Sequence, residues 1–116
     1  MSALTIILVS VGGVFGALLR YVLVYVQPVP VISSVILINV VGSFLIGYLL
    51  MHINSYVWAV AAIGFCGAFT TFSTYALDVV QLIAQGQFQR AVLYVFFMNI
   101  CSLVACWVGV RLAGLN

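Results

Sequence analysis

Residues 67–75 read GAFTTFSTY, and they bring together side chains that a plain lipid-facing helix does not need. Thr70, Thr71, Ser73 and Thr74 supply hydroxyls between two strongly apolar runs, WAVAAIGFC and ALDVVQLIA. Gly67 tolerates a departure from helical backbone. Hydroxyls can re-satisfy peptide groups freed by such a departure inside a membrane. Interrupted membrane helices also turn free carbonyls toward cations such as Na⁺. A break near residues 67–71 therefore suggests a cation site made of carbonyls. A continuous helix with incidental hydroxyls is the other reading of the same residues. Past the stretch, Phe72 and Tyr75 are three apart and share a face, Asp78 follows three later, and Thr71 and Thr74 line a neighbouring face.

Three further patterns carry polar groups into apolar surroundings. Asn39, Ser43 and Gly47 run four apart, and an amide buried there needs hydrogen-bond partners. It serves either as an interhelical lock or as part of a pathway. Tyr94, Met98 and Ser102 form a second stripe, with Asn99 one step around from Met98. Tyr94 offers a hydroxyl to a polar track, although a tyrosine near a membrane end also fits the aromatic belt. Gly12, Gly16 and Arg20 lie along one face. The two glycines allow close backbone approach. Arg20 is several residues short of the QPVP punctuation, deep for a snorkelling side chain. Charges inside a span mark ion or substrate pathways, so Arg20 is read as drawing anions or bracing a vestibule.

Several chemistries are excluded. The sole carboxylate, Asp78, falls late in the third apolar segment, and the first segment has none. A small proton-coupled multidrug exporter needs an intramembrane carboxylate to trade protons for cations, so that alternative is disfavoured. His52 is far along the chain from Asp78, and no nucleophile–base pair is evident. Cys66, Cys101 and Cys106 lack metal-ligand spacing and read as small apolar helix residues. The chain is not read as an enzyme. A channel with an internal polar track and a fixed structural ion remains.

The elements that must hold these residues follow from composition. Of 116 residues, 67% are hydrophobic and 3% charged, against roughly 25% charged in a soluble domain. Such a chain cannot present a wet surface. A spanning helix needs about 20 apolar residues, and four segments qualify, at 3–26, 31–51, 56–84 and 89–113. QPVP, HINS and QGQF separate them, so consecutive helices are expected to be antiparallel neighbours in a single four-helix transmembrane domain. No basic region precedes the first segment, which is too long for a signal-peptide core. Arg111 shares a side with the N-terminus and HINS, while Arg20 and Arg90 fall toward the other side. A difference of one arginine is a weak topological signal, which leaves insertion in both orientations open. So small a bundle, rich in small residues, is expected to dimerise.

The whole pattern resembles the Fluc/CrcB family of fluoride channels, the small bacterial fluoride exporters. The likeness rests on GGVFGALLRY, INVVGSFLIG, GFCGAFTTFSTYALD and the Tyr94 stripe, and it covers essentially the full length. It implies an all-α membrane protein of the cell inner (plasma) membrane, multi-pass, with its third helix broken near the middle. It also implies an antiparallel dual-topology homodimer with two fluoride pores and no nucleic-acid partner. By resemblance, the backbone carbonyls of Gly67 and Thr70 from both subunits hold a structural Na⁺. Asn39 is then the pore amide donating to fluoride, and Phe72 and Tyr75 occupy two aromatic positions whose ring edges face the anion. Thr71, Thr74, Tyr94 and Ser102 line the pore, with Arg20 at the vestibule. Asp78 falls where the family usually has glutamate. Two departures stand out: Tyr75 where phenylalanine is normal, and Met98 where serine is common. They leave open a subunit that needs a homologous partner, as a heteromer, to form a working pore.

Overall fold

The computed structural model describes residues 2–50 and 54–114; His52 lies outside them. Every regular element among the described residues is helical, and four helical stretches are long and apolar enough to cross a membrane: Ala3–Val26, Val31–Leu49, Ser55–Ala84 and Phe88–Leu112. The all-α, four-span class read from the sequence holds.

The first span is α1 (Ala3–Tyr21), which starts at Ser2, whose hydroxyl oxygen accepts the Thr5 N–H. It ends in a π-helical turn, Val22–Val26. The second span is α2 (Val31–Leu49), entered from Pro30, whose fixed φ suits a helix entrance. The third is assembled from α3 (Ser55–Val57), a π-helical run Trp58–Cys66, α4 (Gly67–Phe69) and α5 (Ser73–Ala84). A tight reversal then leads to α6 (Phe88–Leu112), the fourth span. Gly86 makes that reversal at φ 77°. Its N–H donates to the Ile83 carbonyl at 3.0 Å, and the Gln87 N–H donates to the Leu82 carbonyl at 2.8 Å. This is the paired-bond helix stop that favours glycine.

Spans pack as two couples, the first along the third and the second along the fourth. Lipid tails are as apolar as leucine, so helices in a membrane associate through close packing rather than water exclusion. Glycine makes that packing possible in both couples. A Cβ on Gly12 would collide with the Val60 carbonyl oxygen, and one on Gly16 with that of Phe65. In the other couple, a Cβ on Gly47 would meet the Cys106 carbonyl oxygen and one on Gly109 that of Phe44. The two couples meet in a core built on Val35, Ile38, Phe69, Tyr75, Tyr94 and Met98. Large apolar side chains such as Phe15, Phe96 and Leu103 cover the outside, as a lipid-facing surface requires.

Candidate functional site

The third span loses its helical bonding between α4 and α5. Thr70 is extended, at φ −82° and ψ 155°, and the Thr71 and Thr74 amides beyond it find other partners. The Thr71 N–H donates to Asn39 Oδ1 at 2.8 Å, while Asn39 Nδ2 donates to the Thr71 carbonyl at 2.9 Å. One side-chain amide on α2 thus satisfies both backbone groups of Thr71, which is buried. Asn39 reaches it because Gly42, one turn further on, lies against the Thr70 methyl where a Cβ would collide. The Thr71 hydroxyl oxygen in turn accepts the Thr74 N–H at 3.3 Å, as a capping threonine does, and its O–H donates to Thr74 Oγ1 at 3.3 Å.

These bonds determine which carbonyls are free. In an unbroken α-helix the Thr71 N–H would bond the Gly67 carbonyl and the Thr74 N–H the Thr70 carbonyl. Both amides are diverted, one to Asn39 and one to Thr71 Oγ1. The Gly67 and Thr70 carbonyls therefore lose their α-helical donors together. Thr70 anchors the preceding turn instead, its hydroxyl and its N–H both donating to the Cys66 carbonyl, at 2.9 and 3.1 Å.

Gly67 and Thr70 line an open cavity of about 340 Å³. Asn39, Thr71, Phe72, Tyr75 and Ser102 line the same cavity, with Met98 and Asn99. Most of the sequence-predicted site residues are thus brought together. Phe72 is 76% exposed while its neighbour Tyr75 is buried, the two rings meeting edge to face at 5.3 Å. Asn39 keeps one further contact, Nδ2 to the Met98 sulfur at 3.4 Å. A thioether is a weak acceptor, so this second N–H is the more easily redirected of the two. Ser102 Oγ approaches the same sulfur at 4.0 Å.

The remaining predicted residues lie outside that cavity. Arg20 and Thr74 line a second one of about 320 Å³ with Ser73, and Thr71 borders both. Tyr94 lines a third, of about 400 Å³, with Arg90. Its hydroxyl donates to Asp78 Oδ2 at 3.1 Å, and its ring meets Tyr75 edge to face at 5.2 Å. An aromatic chain, Phe72–Tyr75–Tyr94, therefore runs from the first cavity to the third. Two residues outside the expected set join this network. Asn99 donates through Nδ2 to the Tyr75 hydroxyl at 3.2 Å and to the Val95 carbonyl at 2.8 Å. Asp78 is the acceptor for Tyr94. An amide in an apolar helix was the available signal for Asn99; its partner, 24 residues away, could not be read from spacing.

Comparison with known proteins gives one consistent result. Residues 7–110 match the family model described as CrcB-like protein, Camphor Resistance (CrcB). A protein named fluoride-specific ion channel FluC from Vibrio vulnificus (strain YJ016) is 37% identical over 115 residues, covering 90% of both chains. Proteins of the same name from Vibrio parahaemolyticus and Francisella philomiragia are 34% and 32% identical. They cover 90% and 91% of this chain, and 90% and 92% of their own.

Proposed function

The chain belongs to the CrcB-like family, and we propose that it is a fluoride-selective channel that lets fluoride leave the cell down its electrochemical gradient. It is a membrane transport protein rather than an enzyme. The observation that carries the reading is the cavity at the interrupted third span. It gathers two amides, hydroxyls and aromatic edges with no acidic side chain among its lining residues. Ring edges carry partial positive charge, and N–H and O–H donors can replace water around a small anion. A narrow donor-lined path favours fluoride over the larger chloride. At a negative interior of 100 mV, each exported charge gains about 2.3 kcal/mol, so no second energy source is required.

In this reading Asn39 uses one N–H to hold Thr71 and turns the other, now on the Met98 sulfur, to fluoride. Phe72, Tyr75, Thr71 and Ser102 line the path. Arg20 and Thr74 flank its vestibule, and Tyr94 continues it toward Arg90. The working unit is an antiparallel homodimer in the inner membrane, inserted in both orientations. The free carbonyls of Gly67 and Thr70 fit a hard cation, and two copies supply four neutral oxygens. A Na⁺ bound there would supply fixed positive charge at the dimer centre.

Efflux from liposomes holding only the purified protein tests this, with valinomycin to clamp the potential and chloride release as the control. Rapid fluoride release without chloride release is expected. Equal release of both ions would overturn the selectivity. No release from folded dimers would point to a subunit that needs a homologous partner, a reading that co-reconstitution with such a partner would check.

A further inference from the structure

The Tyr75 phenol is held in an unusual state. It is buried at 7% exposure, yet it borders the open cavity. Its oxygen accepts a hydrogen bond from Asn99 Nδ2 at 3.2 Å. Asn99 is itself oriented, since the same amide nitrogen also donates to the Val95 carbonyl at 2.8 Å. The phenol's own hydrogen meets no acceptor among the described residues. A phenol that accepts one bond directs its O–H away from that donor, and the bond polarises the O–H it leaves free. The ring has little freedom to swing, because it is wedged edge to face between Phe72 at 5.3 Å and Tyr94 at 5.2 Å. The cavity wall thus carries a fixed ring whose hydroxyl has a donor to offer.

We propose that the Tyr75 hydroxyl, primed and aimed by Asn99, is a direct hydrogen-bond ligand for fluoride in the cavity, and that this bond sets how tightly the ion is held rather than how fast it passes. The proposal rests on the channel reading above. Tyr75 touches the ion, and Asn99 is a positioning residue acting through it. Conduction needs sites that bind well enough to admit an ion and weakly enough to release it. A charge-assisted O–H donor strengthens the hold. Removing it loosens binding while leaving the ring, and with it the path, in place. The predicted signature is therefore a split: weaker binding with maximal flux kept or raised.

Fluoride titration of the full-length protein in detergent, followed by calorimetry, reads binding directly, with chloride as the control. Liposome efflux at saturating fluoride reads throughput. Tyr75→Phe is expected to weaken fluoride binding about tenfold, as for one charge-assisted hydrogen bond, with saturating flux unchanged or higher. Asn99→Leu should weaken binding by a smaller factor, about threefold. In the Tyr75→Phe background, Asn99→Leu should have no further effect on binding, because the hydroxyl through which it acts is gone. Unchanged affinity in Tyr75→Phe would overturn the proposal while leaving the channel reading intact. Independent, multiplicative losses in the double variant would overturn the role of Asn99. Wild-type protein that neither binds nor passes fluoride would sink the channel reading and this proposal with it. Tyr75→Phe removes a single hydroxyl, and a gel-filtration profile matching wild type separates lost binding from lost folding.

Discussion

The two halves of the third span are held in opposite ways. Trp58–Phe69 is held by backbone: glycines at 12 and 16 bring α1 against the carbonyls of Val60 and Phe65, and a Cβ on Gly64 would likewise collide with the Val9 carbonyl oxygen. In α5 the attachment is by side chains, through the Tyr75–Tyr94 edge contact, the Tyr94–Asp78 hydrogen bond and the Asn99–Tyr75 bond. Between them stands Thr71, whose peptide groups both terminate on Asn39. The difference shows how one membrane span can be rigid and polar at once. Close backbone packing supplies rigidity without polar side chains, and the polar side chains are concentrated in the half that follows Thr70. A membrane helix could not carry both tasks on one stretch. Glycine offers no side chain to donate with, and tyrosine would keep the backbones apart.

The sharpest way to break the first half is Gly16→Val. Its branched Cβ would run into the Phe65 carbonyl and come within 3.1 Å of the Phe69 N, and backbone cannot yield as a side chain end can. The expected cost is about 3 kcal/mol or more, seen as loss of monodisperse protein on gel filtration. Phe15→Ala, on the exposed neighbour, is the control and should fold. A Gly16→Val variant that folds normally would show that the couple does not depend on backbone contact.

Asn39 tests the junction. Asn39→Asp keeps an acceptor for the Thr71 N–H and loses the donor to the Thr71 carbonyl, while placing a negative charge on the proposed path. Fluoride flux is expected to fall at least about a hundredfold, comparable to 2.7 kcal/mol or more. Preserved flux would remove Asn39 from the pore. Asn39→Leu separates the structural part. It leaves two backbone groups at Thr71 unsatisfied, a cost of about 1–3 kcal/mol each. Hydrogen exchange should then accelerate in residues 70–76 and stay slow in 58–66. Uniform acceleration across both would mean that the halves are one cooperative unit.

What could be read from the sequence divides along similar lines. The four spans and the helical class were legible because hydropathy is a local property summed over some twenty residues. The interruption near residues 67–75 was signalled for the same reason: glycine and hydroxyls sit side by side. Asn39 was visible as a buried amide, but its partner is 32 residues away, and spacing within one helix cannot name a partner on another. The π-helical winding of Trp58–Cys66 carries no signal in its apolar run WAVAAIGFC. The close approach of the Val60 and Phe65 carbonyls to the glycine ridge of α1 emerges only in three dimensions. Asn99 stands in the sequence only as a neighbour of Met98, and a helix position one step off a stripe looks peripheral until Tyr75 is placed against it.

The smallest expected effect sharpens the second half. Tyr94→Phe keeps the ring that meets Tyr75 and deletes only the bond to Asp78. Side-chain hydrogen bonds between membrane helices average about 0.6 kcal/mol, so stability should fall by roughly that amount. Asp78→Asn retains an acceptor oxygen at the same place. If the bond matters only as a brace between α5 and α6, Asp78→Asn should be near neutral in the Tyr94 background and Tyr94→Phe should show its full loss. If the carboxylate acts on the path through its charge, Asp78→Asn should change fluoride flux even where stability does not move. A double-variant cycle in the same unfolding assay isolates the pair's coupling. A coupling near zero would mean that α5 is held by its aromatic contacts alone, and the side-chain half of the span would then depend on shape rather than on polar bonds.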